Sequence, residues 1–286
     1  MHVLSLAVHP VKSTAIRPVD GAYVGSAGLV GDREWMVVDG SGELVSAREE
    51  PRLFSTVADC PATAQLPPDV ALRLSASGMP PALVAQPTTG ACRVAMHGKA
   101  PLTGRPPGAA ADQWVGAVLG RDDVRLVWCA DPTSRRLNAA YSREGDHAAF
   151  QDGYPVTLLT TASLAQLDIW LAEEAAERGE GRPAPIGAHR FRPNIVIDGA
   201  ASAFAEDGWR RILVGDVMLR IAKLVDRCSM TTRDPQTLAG GREPLRTLAR
   251  HRRQEGRVWF AVHAIPEVAV GEVGRVSVGD AVVVVA

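Results

Sequence analysis

A mostly β fold of α+β class is what this sequence predicts, and three observations carry the prediction. Short runs of alternating or adjacent apolar residues recur along the chain, only three stretches carry a helical pattern, and no internal repeat of fixed period is present. Many short strands with few helices point to barrels, because closure removes exposed sheet edges.

The first run, VLSLAVHPVK, reads as a strand. EWMVVDGSGELVSAR reads as a hairpin turning at Asp39–Gly42. DVALRLSAS, CRVAMHG and VRLVWC add three short strands. The segment Lys99–Ala111, rich in Gly, Pro and Ala, reads as a loop, after which Asp112 can cap a short helix, QWVGAVL, that Gly120 closes. From Asp131 to Pro155 the chain turns polar and loses its period, which predicts a domain junction. A long helix follows in TTASLAQLDIWLAEEAAERG. There Ser163 and Gln166 fit a capping box, Leu164, Leu167 and Leu171 share one face, and Gly179 ends it. NIVID, RRILVGDVMLRIAKLV, RVWFAVHAI and GRVSVGDAVVVVA return to β character. A basic helix is expected from Pro244 to about Gln254, with Pro244 in its first position.

At 286 residues the chain has room for one large domain or two modest ones. Its formal net charge of −1 leaves no basic field to draw nucleic acid. No early stretch has the basic start and apolar run of a signal peptide, and nothing approaches the roughly 20 apolar residues of a membrane span. Neither nucleic acid nor a membrane is therefore an expected partner. Cys60, Cys92, Cys129 and Cys228 lie far apart with no C-x-x-C pair. That spacing argues against zinc ribbons, iron–sulfur clusters and a secreted disulfide framework, and makes a reducing cytoplasm the expected home. The dinucleotide, nucleoside-triphosphate and α/β-hydrolase signatures are absent, and the seven histidines show no metal-ligand spacing.

One segment stands apart. DRCSMTTRDPQT, from Asp226 to Thr237, sets Cys228 among two arginines, two aspartates and several hydroxyls. Positive charge from Arg227 and Arg233 favours a thiolate, the form that attacks electrophiles or binds soft metals. Thr231, Thr232 and Asp234 can line a pocket and pass protons. Against this stands a structural reading, a half-buried cysteine at a strand end. Elsewhere HPVKST places Lys12 and Ser13 where the first strand ends, and GDREW sets Arg33 before another. RFRPNIVI adds Arg192 and Asn194, and the helix start at Thr161–Ser163 offers free amides. Lysine, serine, arginine and helix-end amides are what an anionic phosphate requires, provided the fold gathers them.

These residues carry a resemblance that spans nearly the whole chain. HPVKS, GDREWMVVD, FQDGYPVTLLTTASLAQLD, FRPNIVIDG, FAEDGWRRILVGDVMLR, DRCSMTTRDPQT and REPLRTLARHRR follow one another in that order. In them the chain resembles proteins that join an N-terminal MOSC-type β-barrel domain to a MOSC domain, above all the mitochondrial amidoxime-reducing component and its bacterial relatives. The resemblance implies a MOSC-type β-barrel with a smaller β-rich N-terminal domain, divided here as 1–135 and 136–286, whose first strands contribute to the cofactor site. It implies a molybdenum–molybdopterin cofactor, with Cys228 as the protein's metal ligand and Asp234 and Thr232 near the metal. Pterin and phosphate contacts carry over to Lys12, Ser13, Arg33, Arg192, Asn194 and Arg227, and also to Ser163. The implied reaction is reduction of N-hydroxylated compounds such as amidoximes and hydroxylamines.

Some bacterial relatives carry a C-terminal [2Fe–2S] domain that this sequence lacks, so the electron donor is expected to be a separate protein, a ferredoxin or a cytochrome b5-like partner. A mitochondrial leader or anchor is not expected either. After DPQT the usual glycine is replaced by Leu238. Two other readings use the same residues: a sulfur carrier with a persulfide on Cys228, and a carrier that stores or delivers the cofactor. The basic helix around Arg246–Arg253 could dock an acidic redox partner, or could be a solvated face.

Overall fold

The computed structural model describes residues 1–97 and 101–285. They divide into two compact units that are not continuous in sequence. One comprises Met1–Leu6, Asp20–Gly25 and the chain from Val156 onward; the other comprises Ala7–Val19 and Ser26–Pro155. The mostly β, α+β class holds in both.

In the C-terminal unit one sheet runs in the order Val282–Val284, Arg211–Val214, Val217–Asp226, Arg257–Pro266, Val156–Thr160, Ile195–Asp198 and His2–Val8, the last belonging here as far as Leu6. Neighbours are antiparallel except Val156–Thr160 against Ile195–Asp198, which pair in parallel, Leu158 opposite Ile195. A parallel pair needs a crossover. The helix spanning Thr161–Glu177 supplies it. Among the described residues no ladder joins Val282–Val284 to His2–Val8. A single bridge, His2 to Ala281, links them, with backbone bonds from Val3 N–H to the Asp280 carbonyl (2.9 Å) and from Val282 N–H to the Met1 carbonyl (3.0 Å). The expected mostly β fold is present, but the sheet is not closed into a barrel by strand pairing among the described residues. Its core includes Leu159, Leu167, Leu171, Phe191, Leu248 and Phe260, with Leu164 packed against them, so the helical face read from the sequence is the buried one.

The start of that helix differs from the prediction. Thr160, not Ser163, is the N-cap, and its hydroxyl accepts from the Ser163 N–H at 3.2 Å. Ser163 is buried in the first turn, where its hydroxyl donates to Glu206 Oε1 (2.7 Å) and accepts from the Phe204 N–H (2.8 Å). Glu206, itself fully buried, also accepts from the Thr160 hydroxyl (3.0 Å) and the Thr160 N–H (3.3 Å). The protein's own carboxyl group thus occupies the helix start that looked free to receive an anion. Glu206→Ala leaves these buried donors without an acceptor, and we expect it to cost about 2–4 kcal/mol in urea denaturation. A loss below about 1 kcal/mol would show that the network is dispensable.

In the N-terminal unit, Trp35–Val38 pairs with Arg125–Trp128, Val57–Asp59 with Leu72–Ser75 and on to Ala82–Val84, and Cys92–Val94 with Leu102–Gly104, all antiparallel. The hairpin turns at Asp39–Gly42 as expected, Gly42 N–H donating to the Asp39 carbonyl at 3.0 Å, but its return arm is a single bridge from Val38 to Leu44. The loop expected over Lys99–Ala111 begins outside the described residues. Within them it contains the strand Leu102–Gly104, and a helix already starts at Ala109. Three consecutive alanines extend that helix toward Gly108. Asp112 therefore lies inside its first turn and accepts from the Leu126 N–H (2.9 Å) instead of capping. Gly120 closes the helix in the left-handed conformation, at φ 64°.

By compactness the N-terminal unit runs on through the polar segment Asp131–Pro155 and ends at Pro155. The segment loses its period because long-range side chains hold its backbone. Arg135 Nη1 donates to the carbonyls of Ala149 and Gln151, and Phe150 N–H donates to the Arg33 carbonyl (3.0 Å). Phe150 is fully buried beside Met36 and Val127.

Candidate functional site

The strand Val217–Asp226 carries Cys228 just beyond its end. Arg227 N–H still donates to the Val258 carbonyl (2.8 Å); then Cys228 caps a short 3-10 turn, Ser229–Thr232. Hydroxyls fold back onto this turn, Thr231 Oγ1 donating to the Cys228 carbonyl (3.0 Å) and Thr232 Oγ1 to the Ser229 carbonyl (2.7 Å). Arg190 clamps it, its Nε and Nη2 donating to the Thr231 carbonyl at 3.0 and 2.8 Å. The backbone is fixed while the thiol is left open. Cys228 is exposed, alone among the four cysteines. Burial pushes the Cys60 thiol up to about 11 and Cys129 up to about 12, which removes both from thiolate chemistry at neutral pH. The half-buried structural reading of Cys228 falls.

Arg227 donates from Nε to the Phe260 carbonyl (2.8 Å) and from Nη1 to the Phe191 carbonyl (3.1 Å), and lies over the Phe191 ring at 5.2 Å. It ties the strand that leads to Cys228 to the residue before Arg192. Arg192 holds a left-handed backbone, φ 51°. Asn194 is buried, and its side-chain oxygen accepts from the Thr157 N–H (3.1 Å), so that atom clamps two strands. Asp234 also has another task. Its Oδ1 accepts from the N–H groups of Gln236 (2.8 Å) and Thr237 (2.9 Å). The Thr237 and Gln236 amides lower its pKa, so at neutral pH it is an anion holding a loop, not a source of protons.

Lys12, Ser13 and Arg33 lie in the N-terminal unit. Backbone bonds assemble them: Arg33 N–H donates to the His9 carbonyl (2.7 Å) and Lys12 N–H to the Trp35 carbonyl (2.7 Å). The Lys12 ammonium is buried, bonded to the Phe150 carbonyl (2.7 Å) and paired with Asp152 at 2.6 Å. Burial lowers its pKa from 10.5 to about 8; Asp152 opposes the drop, and Arg33 and Arg135 add to it. Ser13 is buried and its hydroxyl has no hydrogen-bond partner. Both Ser13 (φ 71°) and Arg33 (φ 52°) have left-handed backbones. Non-glycine residues adopt that conformation rarely, and such strain gathers at functional sites.

A lysine whose pKa falls on folding binds fewer protons folded than unfolded, so stability rises with pH between the two values. For Lys12 the drop from 10.5 to about 8 corresponds to about 3 kcal/mol, a cost fully present below pH 8 and relieved by pH 10.5. Wild type should therefore gain about 2–3 kcal/mol on Lys12→Met between pH 7 and pH 10, read from paired urea melts. Parallel pH curves for the two proteins would remove the buried ammonium from this account.

Known proteins resemble this chain over most of its length. The family model of the MOSC domain matches residues 145–283, and that of the MOSC N-terminal beta barrel domain matches residues 1–122. Mitochondrial amidoxime-reducing component 1 of Mus musculus is 36% identical over 263 residues, covering 87% of this chain and 71% of that protein. The Homo sapiens protein of the same name is 35% identical, covering 87% and 72%. Mitochondrial amidoxime reducing component 2 of Bos taurus is 32% identical, covering 87% and 72%. The chain belongs to the MOSC family.

Within this MOSC protein the replacement at Leu238 has a physical reading. Leu238 holds φ 59°, a conformation glycine takes without cost, and its N–H donates to the Asp234 carbonyl (2.9 Å). The turn keeps its left-handed form although the residue has a side chain. Among the described residues no group of three or more His, Cys, Asp or Glu side chains is gathered to hold a metal. Sequence reasoning passed over Arg190 and Asp152, which lie inside quoted motifs, and Arg135, which lies outside them, because their partners are distant backbone carbonyls or Lys12. The basic helix is shorter than expected, Leu245–His251, with Pro244 just before it and Arg253–Gln254 forming a strand. Its arginines and the one that follows it meet the chain's own acids, Arg246 with Glu243 (2.6 Å), Arg250 with Glu177 (2.6 Å) and Arg252 with Asp207, and the His251 ring is hydrogen-bonded to Glu174 (3.2 Å). That pairing weakens the docking role. Among the described residues no helix is long and apolar enough to cross a membrane.

Proposed function

We propose that this MOSC protein is a molybdenum-cofactor-dependent oxidoreductase that reduces N-hydroxylated compounds, amidoximes and hydroxylamines among them. One observation carries the reading: the exposed Cys228 thiol, on a turn clamped by Arg190, in a chain about one third identical to proteins named for amidoxime reduction. The residues fit the group. A lone exposed thiol is a soft metal donor. The buried Lys12 ammonium and the partnerless, buried Ser13 hydroxyl are donors suited to a phosphate.

On this reading Cys228 holds the metal, Arg227 and Arg192 set positive charge near it, and Lys12, Ser13 and Arg33 take the anionic phosphate. Ser163 is left out, because its hydroxyl serves Glu206 and Phe204. When bound, the cofactor supplies the two-electron chemistry, while the protein orients it and excludes competing reactions. Protons for the departing oxygen come from solvent reaching the open Cys228 turn, since Asp234 is committed to its loop. Electrons come from a separate protein. The test is elemental analysis of protein purified from a cofactor-making host, with fluorescence of the oxidised pterin. About one molybdenum per chain is expected; protein that folds and carries neither metal nor pterin would falsify the proposal.

A further inference from the structure

A second cleft, of about 510 Å³, opens in the N-terminal unit. Its floor is Gly31, held at φ 83°, where a Cβ would lie 2.6 Å from Cys60 Sγ and 3.2 Å from Ala62 Cβ. Only glycine keeps that floor open. Trp35 and Trp128 face each other across paired strands and line the cleft, their ring centroids 6.3 Å apart and inclined at 44°. Glu34 is fixed beside them. Its Oε1 accepts from the Gly31 N–H (2.8 Å), and its carboxyl also receives a side-chain hydrogen bond from Trp128. Asp69 stands exposed in the lining.

The sign of the charge decides what fits. The described residues that line the cleft include two carboxyl groups and no Lys, Arg or His. Aromatic and proline walls favour an apolar body, and the faces of tryptophan attract cations. A carboxyl held in place by two donors and pressed by burial toward its neutral form gains most from a cationic partner. An anion would meet no compensating charge, and a neutral ligand would bring Glu34 no counter-charge. None of these residues belongs to the set assigned to the cofactor.

We infer that the N-terminal unit binds a small organic cation with an apolar body, Glu34 serving as its counter-ion and the half-buried Trp128, backed by the buried Trp35, as its aromatic wall. The site is distinct from Cys228 and does not depend on the reductase reading. Benzylammonium, benzyl alcohol and benzoate share one body and differ in charge. Isothermal titration of the full chain is expected to rank benzylammonium roughly tenfold or more tighter than benzyl alcohol, with no binding of benzoate. Glu34→Gln should erase the preference for the cation while leaving benzyl alcohol binding in place. Asp69→Asn, at an exposed position that folding tolerates, should weaken the cation about twofold. Cys228→Ser should change none of these values, which separates this site from the metal centre. Equal affinity of wild type for benzylammonium and benzyl alcohol overturns the assignment, and so does a soaked crystal with the ammonium away from Glu34.

Discussion

Cys228→Ser is expected to lower amidoxime reduction at least about 100-fold and to strip most of the molybdenum during purification. Replacing groups that merely orient a metal's ligands costs about 10–100-fold in affinity or activity, so loss of the ligand itself should cost no less. Serine offers a hard hydroxyl where a soft thiolate is needed. The fold should survive, because Cys228 is exposed and its turn is held by Thr231, Thr232 and Arg190 rather than by the thiol. A melting curve that overlays wild type would establish this, since surface substitutions usually fall within about 0.5 kcal/mol. Cys60→Ser and Cys129→Ser serve as controls that keep the activity. The measurement is turnover of an amidoxime with a chemical electron donor, alongside metal content. Unchanged turnover and unchanged molybdenum in Cys228→Ser would end the assignment of this sulfur.

Asp32→Asn should have the largest effect on stability, about 3–5 kcal/mol. Asp32 is buried and gathers the His9 backbone N–H (2.9 Å), the His9 ring (3.1 Å) and the Arg33 guanidinium (2.6 Å). Burial alone would raise its pKa. Arg33 and His9 outweigh that and hold the carboxyl well below the usual carboxylate range. A carboxyl whose pKa falls on folding contributes stability that is complete above its unfolded value of 3.8 and drains away as pH drops below it. The gap between wild type and Asp32→Asn should therefore be widest near neutrality and close as the solution is acidified below about pH 4. A gap that stays constant down to pH 2 would mean that charge at Asp32 is not what the fold uses. Because Arg33 is the other end of this pair, the variant also tests the proposed cofactor reading, on which it should weaken binding of the cofactor phosphate.

The strands were legible because their signal is local. Apolar residues two apart mark a buried face wherever the segment ends up, and Gly120 takes the left-handed form its place after the helix requires. The helix start was misjudged because Thr160 and Ser163 offer the same hydroxyl chemistry. What separates them is Glu206, 43 residues beyond Ser163, which engages both. Residues 136–155 looked like a linker for a related reason: their order comes from Arg135 and Lys12 bonding to carbonyl groups, and such bonds leave no periodic trace. The Glu34 cleft left no signal at all, since its walls come from strands some 90 residues apart in sequence.

By itself the sequence determined the fold class, the family and the one cysteine set among charges and hydroxyls, all properties of residue type and spacing along the chain. Tertiary structure decided which polar atoms were already spoken for. It committed Ser163 and Asp234 to the fold, left the Cys228 thiol open to solvent and the Ser13 hydroxyl without a partner, and brought Glu34 and Trp128 into one cleft. The reason is that a hydrogen-bonding group can serve only a limited number of partners, and those partners are chosen by contacts across tens of residues rather than by neighbours in sequence.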